Sequence, residues 1–210
     1  MDIARFKKLP IMGILRGIKL SAMDALIETI ISSGLETIEI TMNTPDAAKC
    51  IKNTVDLSKG RIMVGAGTVL SLESMRVALD AGASFIVMPT FIEAIVNYCT
   101  KNDIPVFPGA LTPQEVYKAY SRGATMVKVF PSGLFGPKYF KELKGPFDKI
   151  ALLAVGGVRL DNIREYFKCK ADGVAVGASV FDVDKIHNGD LYPIKASLSE
   201  LVNAVQSCVS

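Results

Sequence analysis

The sequence predicts an α/β fold in which residues 1–210 form one domain, a single (β/α)8 (TIM) barrel with a short N-terminal helix. Eight short apolar segments alternate with amphipathic stretches at a nearly regular spacing. Segments that are apolar on both faces are typical of parallel sheets covered by helices. Eight such strand–helix units in a chain of this length favour a closed barrel. A doubly wound open sheet is the alternative.

Each predicted element follows from its residue pattern. Ser21, Ser71 and Thr112 are cap residues that predict where three of the helices begin. The predicted strands, in chain order, are "IMGIL" (11–15), "LETIEIT" (35–41), "RIMVGAG" (61–67), "SFIVMP" (84–89), "IPVFPG" (104–109), "TMVKVF" (125–130), "IALLAVGG" (150–157) and "DGVAVG" (172–177). The amphipathic segments include "SAMDALIETIISS" (21–33), "SLESMRVALDA" (71–81), "TFIEAIVNYCTK" (90–101) and "TPQEVYKAYSR" (112–122).

An internal repeat also favours the barrel. Each copy has a glycine suited to a helix C-cap, namely Gly34, Gly82 or Gly123, followed by a predicted strand. A weaker fourth copy precedes the last strand. The copies are "SSGLETIEI" (32–40), "DAGASFIVM" (80–88), "SRGATMVKV" (121–129) and "KCKADGVAVG" (168–177).

The register of the repeat places four side chains at equivalent positions. Glu39, Val87 and Lys128 each lie five residues after their glycine, and Ala175 takes the matching position in the fourth copy. Inward side chains from alternate strands of a barrel share one layer. We therefore expect Glu39 and Lys128 to face each other across the interior, although a slip of one residue would reverse this.

Composition excludes several classes of protein. Half of the residues are hydrophobic, 21% are charged and the net charge is +3, so a large core is expected and disorder is not. No basic run indicates a nucleic-acid or membrane partner. The start of the chain lacks the apolar core of a signal peptide, and no apolar run reaches transmembrane length.

The cysteines and the histidine indicate neither disulfides nor a metal. The four cysteines are far apart, which is typical of free thiols in a reducing compartment, and a cytoplasmic protein is expected. The one histidine, His187, has no cluster of His or Cys around it, so no transition-metal site is expected.

Lys128 within an apolar strand is the most unusual position. One interpretation is a structural ion pair with Glu39, although desolvation makes such pairs weak stabilisers. The other is catalysis: burial favours the neutral amine, which can attack a ketone and form a Schiff base. The imine then accepts electrons while a carbon–carbon bond breaks. Glu39 is the candidate base that removes a hydroxyl proton.

Polar groups predicted at the strand ends could bind the two ends of a substrate. Arg16 follows the first strand, and it could hold a carboxylate or form a rim salt bridge. Thr68, in "GAGT", could bind the same carboxylate or cap a helix. Loops after the last two strands of such barrels often bind phosphate, although tight turns are the ordinary interpretation. The phosphate candidates are Gly156, Gly157, Gly177, Ala178 and Ser179.

Together these motifs give the chain a resemblance to a known family. It resembles the class I aldolases that cleave 2-keto-3-deoxy-6-phospho sugar acids and release pyruvate. The similarity is carried by "LPIMGILRGI" (9–18), "IEITMNTP" (38–45), "VGAGTVL" (64–70), "KVFPSGLFGPKYFKELKGPF" (128–147) and "AVGGV" (154–158).

The resemblance implies roles for these residues. It implies that Lys128 forms the imine, that Glu39 is the general acid/base and that Arg16 and Thr68 bind the pyruvate end. Gly156, Gly157 and the loop after the eighth predicted strand would hold the phosphate. Asn43, Pro89 and Phe130 are further candidates for contacting substrate. It also implies a homotrimer of barrels that uses no metal or cofactor.

Two positions bear on which substrate is preferred. Asn43 and Val155 are similar to the 6-phosphogalactonate branch, whereas 6-phosphogluconate members often have arginine and threonine there. Products of either substrate would be pyruvate and D-glyceraldehyde 3-phosphate. Alternatives are cleavage of 4-hydroxy-2-oxoglutarate to pyruvate and glyoxylate, and an isomerase or epimerase that uses the same lysine and glutamate as acid and base. A non-catalytic binding barrel is a third possibility.

Overall fold

The computed structural model describes residues 1–209, and they contain one sheet of nine parallel strands with helices between them. Both faces of the strands are buried, as the apolar segments predicted. The strands are β1 (Ile11–Leu15), β2 (Thr37–Thr41), β3 (Met63–Gly67), β4 (Ile86–Val87), β5 (Val106–Phe107), β6 (Gly109–Ala110), β7 (Val127–Val129), β8 (Leu152–Val155) and β9 (Gly173–Val176).

Pro108 explains why nine strands form an eight-stranded barrel. The sheet order is β5-β4-β3-β2-β1-β9-β8-β7-β6, so the two edge strands are consecutive in the chain. Pro108 alone separates them. β5 pairs with β4 and β6 pairs with β7, while the Pro108 carbonyl accepts a hydrogen bond of 2.9 Å from the Lys128 amide. This one interrupted segment closes the barrel, and the predicted (β/α)8 fold is confirmed.

The helices cover the outside of the barrel. They are α1 (Ile3–Lys8), α2 (Met23–Ser33), α3 (Ala47–Ser58), α4 (Leu72–Asp80), α5 (Glu93–Lys101), α6 (Pro113–Ser121), α7 (Lys138–Lys144), α8 (Ile163–Lys168), α9 (Val183–His187) and α10 (Tyr192–Val209). The short N-terminal helix α1 is as predicted. Its Phe6 is fully buried and packs with the residues inside the barrel. None of the helices within residues 1–209 combines the length and apolar character that crossing a bilayer requires.

Two of the three predicted helix caps are correct. Ser71 and Thr112 accept hydrogen bonds from the amides three residues later, and both form capping boxes. Ser21 is a wrong prediction: it lies within a 3-10 turn, Leu20–Ala22, and α2 follows that turn directly with Ala22 at its N-cap. Because Ser21 lies inside this 3-10 turn and not at the N-cap position, its hydroxyl group does not cap α2.

The repeated glycines end their helices as expected. Gly34, Gly82 and Gly123 have φ values of 86°, 100° and 90°, a left-handed conformation that other residues rarely adopt. Each glycine turns the chain from a helix back toward the next strand. The equivalent strand positions therefore start from equivalent turns, which is the basis of the repeat register.

Two hydrophobic clusters divide the core. The larger one lies between the helices and the outer face of the sheet. The smaller one contains the inward side chains, including Val87 and Ala175 as the repeat predicted. It also contains Met12, Phe85 and Phe107, so the barrel is filled with packed side chains below the level of the charged groups.

Candidate active site

Lys128 and Glu39 are both buried inside the barrel. The Lys128 side chain lies on β7 and its residue is 5% exposed, whereas Glu39 on β2 is 1% exposed. The Lys128 ammonium position is 5.2 Å from the centroid of the Phe130 ring, so an aromatic face covers the amine. The predicted inward register of both residues agrees with this burial.

Burial dominates the titration of both groups. Desolvation lowers the pKa of Lys128; the negative charge of Glu39 opposes this effect and the positive charge of Arg16 adds to it. Desolvation also raises the pKa of Glu39, while the charges of Lys128 and Arg16 lower it. Both shifts favour the neutral forms. The site thus provides an amine that is more nucleophilic at moderate pH than an exposed lysine.

Gly67 makes room for the Glu39 carboxyl group. β2 and β3 are paired in register, with Thr41 opposite Gly67. A Cβ atom at Gly67 would lie 2.5 Å from Glu39 Oε1 and 2.6 Å from its carboxyl carbon. A larger residue here would displace the Glu39 carboxyl group from its observed position, which explains the second glycine of the "GAGT" motif.

Arg16 and Thr68 lie together at the rim formed by the carboxyl ends of the strands. The Arg16 guanidinium Nη2 donates a hydrogen bond of 3.2 Å to Thr68 Oγ1. Thr68 has a φ of 55°, which is unusual for a β-branched residue and marks a constrained backbone. The alternative role for Thr68, a helix N-cap, is excluded because Ser71 caps α4.

A buried hydroxyl network holds the loop that carries Arg16. Thr44 Oγ1 accepts a hydrogen bond of 3.0 Å from the Gly17 amide and lies 3.0 Å from Thr41 Oγ1. Both threonines are buried. The sequence motif "IEITMNTP" contained both residues, but only its glutamate and asparagine were singled out, because a threonine gives no signal of its own in a strand and turn.

The predicted phosphate loops and Arg16 line one cavity of about 480 Å³. Phe130 lies on the same wall, between the lysine strand and the glycine pair. Most of the other lining is apolar. The lining residues are Ile14, Arg16, Phe130, Val155, Gly156, Gly157, Val158, Ala175, Gly177, Ala178, Ser179, Phe181 and Val183.

The residues that line this cavity do not include Lys128, Glu39, Thr68, Asn43 or Pro89. Asn43 is exposed in the turn after β2. Pro89 packs against β6, where a Cβ atom at Gly109 would lie 2.2 Å from its carbonyl oxygen. Their contacts with substrate therefore stay predictions. Conversely, the sequence did not indicate Phe181 and Val183, whose apolar side chains have no distinguishing pattern.

The arrangement can support chemistry on a carbonyl compound with two charged ends. A desolvated amine lies near a desolvated carboxyl group, and both sense the charge of a rim arginine. Within residues 1–209, no group of three or more His, Cys, Asp or Glu side chains could hold a metal ion. The Lys128 amine and the Glu39 carboxyl group are the two groups in this arrangement whose pKa values burial shifts toward the neutral form.

Comparison with known proteins adds independent information. A model of the KDPG and KHG aldolase family matches residues 3–197. The 2-dehydro-3-deoxy-6-phosphogalactonate aldolase of Escherichia coli strain K12 is 34% identical over 176 residues, which cover 83% of this chain and 85% of that protein. A 2-dehydro-3-deoxy-phosphogluconate aldolase of Treponema pallidum strain Nichols is 29% identical, covering 86% of both chains. A solved structure described as native KDPGal superimposes with a TM-score of 0.90 at 30% identity, covering 96% of this chain and 97% of that one.

The double variant Glu39→Leu/Lys128→Met should unfold at the same urea concentration as the wild type at neutral pH or at a higher one. Burial disfavours the charged form of both groups, and replacing such a buried pair by hydrophobic side chains of similar volume is neutral or stabilising by about 1–4 kcal/mol. Lys128→Met alone should be less stable than the double variant, because it leaves the carboxyl group without its partner.

Lys144→Met is the matched control. Lys144 is partly buried, and it donates to the Ile150 carbonyl at 2.6 Å and pairs with Asp172 at 2.7 Å, so its loss should destabilise the protein. A double variant that is no more stable than Lys128→Met would show that the pair is a structural element.

Proposed function

Because the chain belongs to the KDPG and KHG aldolase family, we propose that it cleaves 2-dehydro-3-deoxy-6-phospho sugar acids to pyruvate and D-glyceraldehyde 3-phosphate. The observation that supports this most directly is the buried Lys128 amine within the electrostatic reach of Glu39 and Arg16. An amine in this setting suits imine formation with a 2-keto acid. The relatives named as phosphogalactonate and phosphogluconate aldolases also support this proposal.

In the proposed reaction, Lys128 performs the covalent steps. Its neutral amine attacks the C2 ketone, and loss of water gives a protonated imine. Glu39 removes the proton from the C4 hydroxyl group as the C3–C4 bond breaks. The electron pair of that bond moves into the imine, giving an enamine and free D-glyceraldehyde 3-phosphate. Protonation at C3 and hydrolysis then release pyruvate and regenerate the amine.

The rim groups are proposed to hold the substrate in place. Arg16 and Thr68, already linked by a hydrogen bond, would bind the carboxylate next to the ketone. The glycine pair Gly156–Gly157 and the loop Gly177–Ser179 would hold the phosphate with backbone amides. Fixing both ends places the ketone against the amine and the C4 hydroxyl near the carboxyl group.

We also propose the setting in which the enzyme works. The protonated imine accepts the electron pair that breaks the bond, so the proposed reaction needs no metal or cofactor. A cytoplasmic location agrees with four cysteines that form no disulfide. A homotrimer of the 22.6 kDa chain is proposed from the family resemblance, and Leu134 and Phe135, 72% and 58% exposed, are large apolar side chains that an interface could cover.

Pyruvate with borohydride should attach a stable three-carbon adduct to Lys128, detected by mass spectrometry of the intact chain and its peptides. Lys128→Arg should abolish the adduct. Lys144→Arg, at a partly buried lysine, should leave it unchanged. An isomerase or a non-catalytic barrel would give no adduct. A folded wild-type protein that forms no adduct would therefore contradict the proposed function.

Glu39→Gln should shift the acid side of the pH profile of pyruvate trapping to lower pH. Glu39 raises the pKa of Lys128, so its neutralisation leaves burial and Arg16 to lower that pKa further. The amine is protonated below its pKa, hence the shift toward lower pH. Arg16→Gln should move the acid side to higher pH, because Arg16 lowers the pKa of Lys128.

The same Glu39→Gln variant should cleave the sugar acid about 100- to 10,000-fold more slowly than the wild type, because it keeps the Lys128 amine but lacks the general acid/base. A lactate dehydrogenase assay of released pyruvate measures this. Unshifted trapping profiles in both variants would contradict the electrostatic coupling of the three groups.

Steady-state kinetics should show comparable use of both phosphorylated epimers, or a preference for the galactonate compound. Val155 lines the cavity and offers no hydroxyl group to read the C4 configuration. Val155→Thr should raise kcat/KM for the gluconate epimer relative to the galactonate epimer. A strong wild-type preference for the gluconate epimer would contradict this prediction. A preference for 4-hydroxy-2-oxoglutarate would instead indicate that the protein is a 4-hydroxy-2-oxoglutarate aldolase.

A further inference from the structure

The turn that follows the lysine strand contains a fully buried serine. Ser132, at 0% exposure, begins a 3-10 turn, Ser132–Leu134, two residues beyond Phe130. Its hydroxyl group donates a hydrogen bond of 2.8 Å to the carbonyl oxygen of Gly156. The Gly133 amide donates to the same oxygen, also at 2.8 Å. The Tyr166 hydroxyl lies 3.4 Å from Ser132 Oγ. One glycine carbonyl is therefore held by two donors from the lysine segment.

Close packing reinforces these hydrogen bonds. A Cβ atom at Gly157 would lie 2.9 Å from the Cα of Gly133, and a Cβ atom at Gly133 would lie 3.2 Å from the Gly157 Cα and the Gly156 oxygen. The turn and the glycine pair thus contact each other through bare backbone. This contact fixes the distance between the segment that carries Lys128 and the loop that faces the cavity.

Asn162 holds the next carbonyl of the same loop. Its Nδ2 donates a hydrogen bond of 2.9 Å to the Gly157 carbonyl, while its Oδ1 accepts one of 2.8 Å from the Arg159 amide. Two consecutive carbonyl oxygens, those of Gly156 and Gly157, are thereby engaged by two side chains from different segments. Ser132 precedes the loop in the chain and Asn162 follows it.

Fixing these carbonyls also fixes two amides. In a planar trans peptide the C=O and the N–H point in opposite directions. The peptide that carries the Gly156 oxygen also carries the Gly157 N–H, and the next one carries the Val158 N–H. Gly156, Gly157 and Val158 all line the cavity. Ser132 and Asn162, which bind the carbonyl oxygens of Gly156 and Gly157, therefore set the direction of the next two amides. An anion bound at this side of the cavity would meet those amides.

We propose that Ser132 and Asn162 are positioning residues that orient the Gly157 and Val158 amides and so give the enzyme its preference for phosphorylated substrates. The inference rests on the proposed function. It assigns no contact with the reacting carbons to either side chain. The chemistry at Lys128 should therefore proceed normally without them, while the advantage that a phosphate group brings should decrease.

The decisive experiment compares substrates with and without the phosphate group. In Ser132→Ala, kcat/KM for the 6-phosphorylated sugar acid should fall about tenfold, mainly through KM, because one hydrogen bond to the loop is lost. The value for the unphosphorylated 2-dehydro-3-deoxy sugar acid and the rate of pyruvate trapping at Lys128 should change less than about twofold. Asn162→Ala, at a half-buried position that tolerates truncation more readily, should behave in the same way.

Ser33→Ala is the matched control, since Ser33 is a buried serine that donates to the Ile30 carbonyl at 2.7 Å and does not line the cavity. It should leave the ratio of phosphorylated to unphosphorylated kcat/KM at the wild-type value. An equal loss for both substrates in Ser132→Ala and Asn162→Ala, or an unchanged ratio, overturns the positioning role. A wild type that traps no pyruvate at all would instead refute the proposed function.

Discussion

The constraint on which this structure depends is the burial of an amine and a carboxyl group inside a closed apolar barrel. Desolvation is the largest influence on the pKa of both Lys128 and Glu39, and it drives both toward their neutral forms. In water the same amine would be protonated, and a protonated amine does not attack a ketone. The fold must therefore be closed, because an open sheet edge would readmit the solvent that keeps a lysine protonated.

Closure in turn depends on a few backbone positions. Pro108 interrupts the fifth barrel strand, yet its carbonyl accepts the Lys128 amide, so the break lies beside the reactive strand and is bridged there. Gly67 leaves room for the Glu39 carboxyl group, and Gly65 below it leaves room for the Phe85 ring, 2.3 Å from where a Cβ atom would lie. The two glycines on β3 thus leave space for the Glu39 carboxyl group and for the apolar ring of Phe85.

The sequence was sufficient to predict the barrel and the inward register of Lys128 and Glu39, because local periodicity and a repeat encode both. It was also sufficient for the loops that line the cavity, because these loops follow the last two predicted strands. It was not sufficient for Ser21, where a 3-10 turn precedes the helix, nor for Thr44 and Ser132. Those hydroxyl groups act across the fold, binding the Gly17 amide and the Gly156 carbonyl 27 and 24 residues away. Contacts of this kind follow from closure of the barrel and leave no local pattern.

The proposed role of Arg16 would connect substrate binding to the protonation state of the Lys128 amine. In the free site its positive charge lowers the pKa of Lys128, which favours the neutral nucleophile. A bound carboxylate would offset that charge, and the local field would then favour a cation at the same nitrogen. The attack requires the neutral amine, whereas bond cleavage requires the protonated imine. A rim arginine that binds the substrate carboxylate, as proposed here for Arg16, would therefore supply the right field for each step in turn without any movement of the barrel.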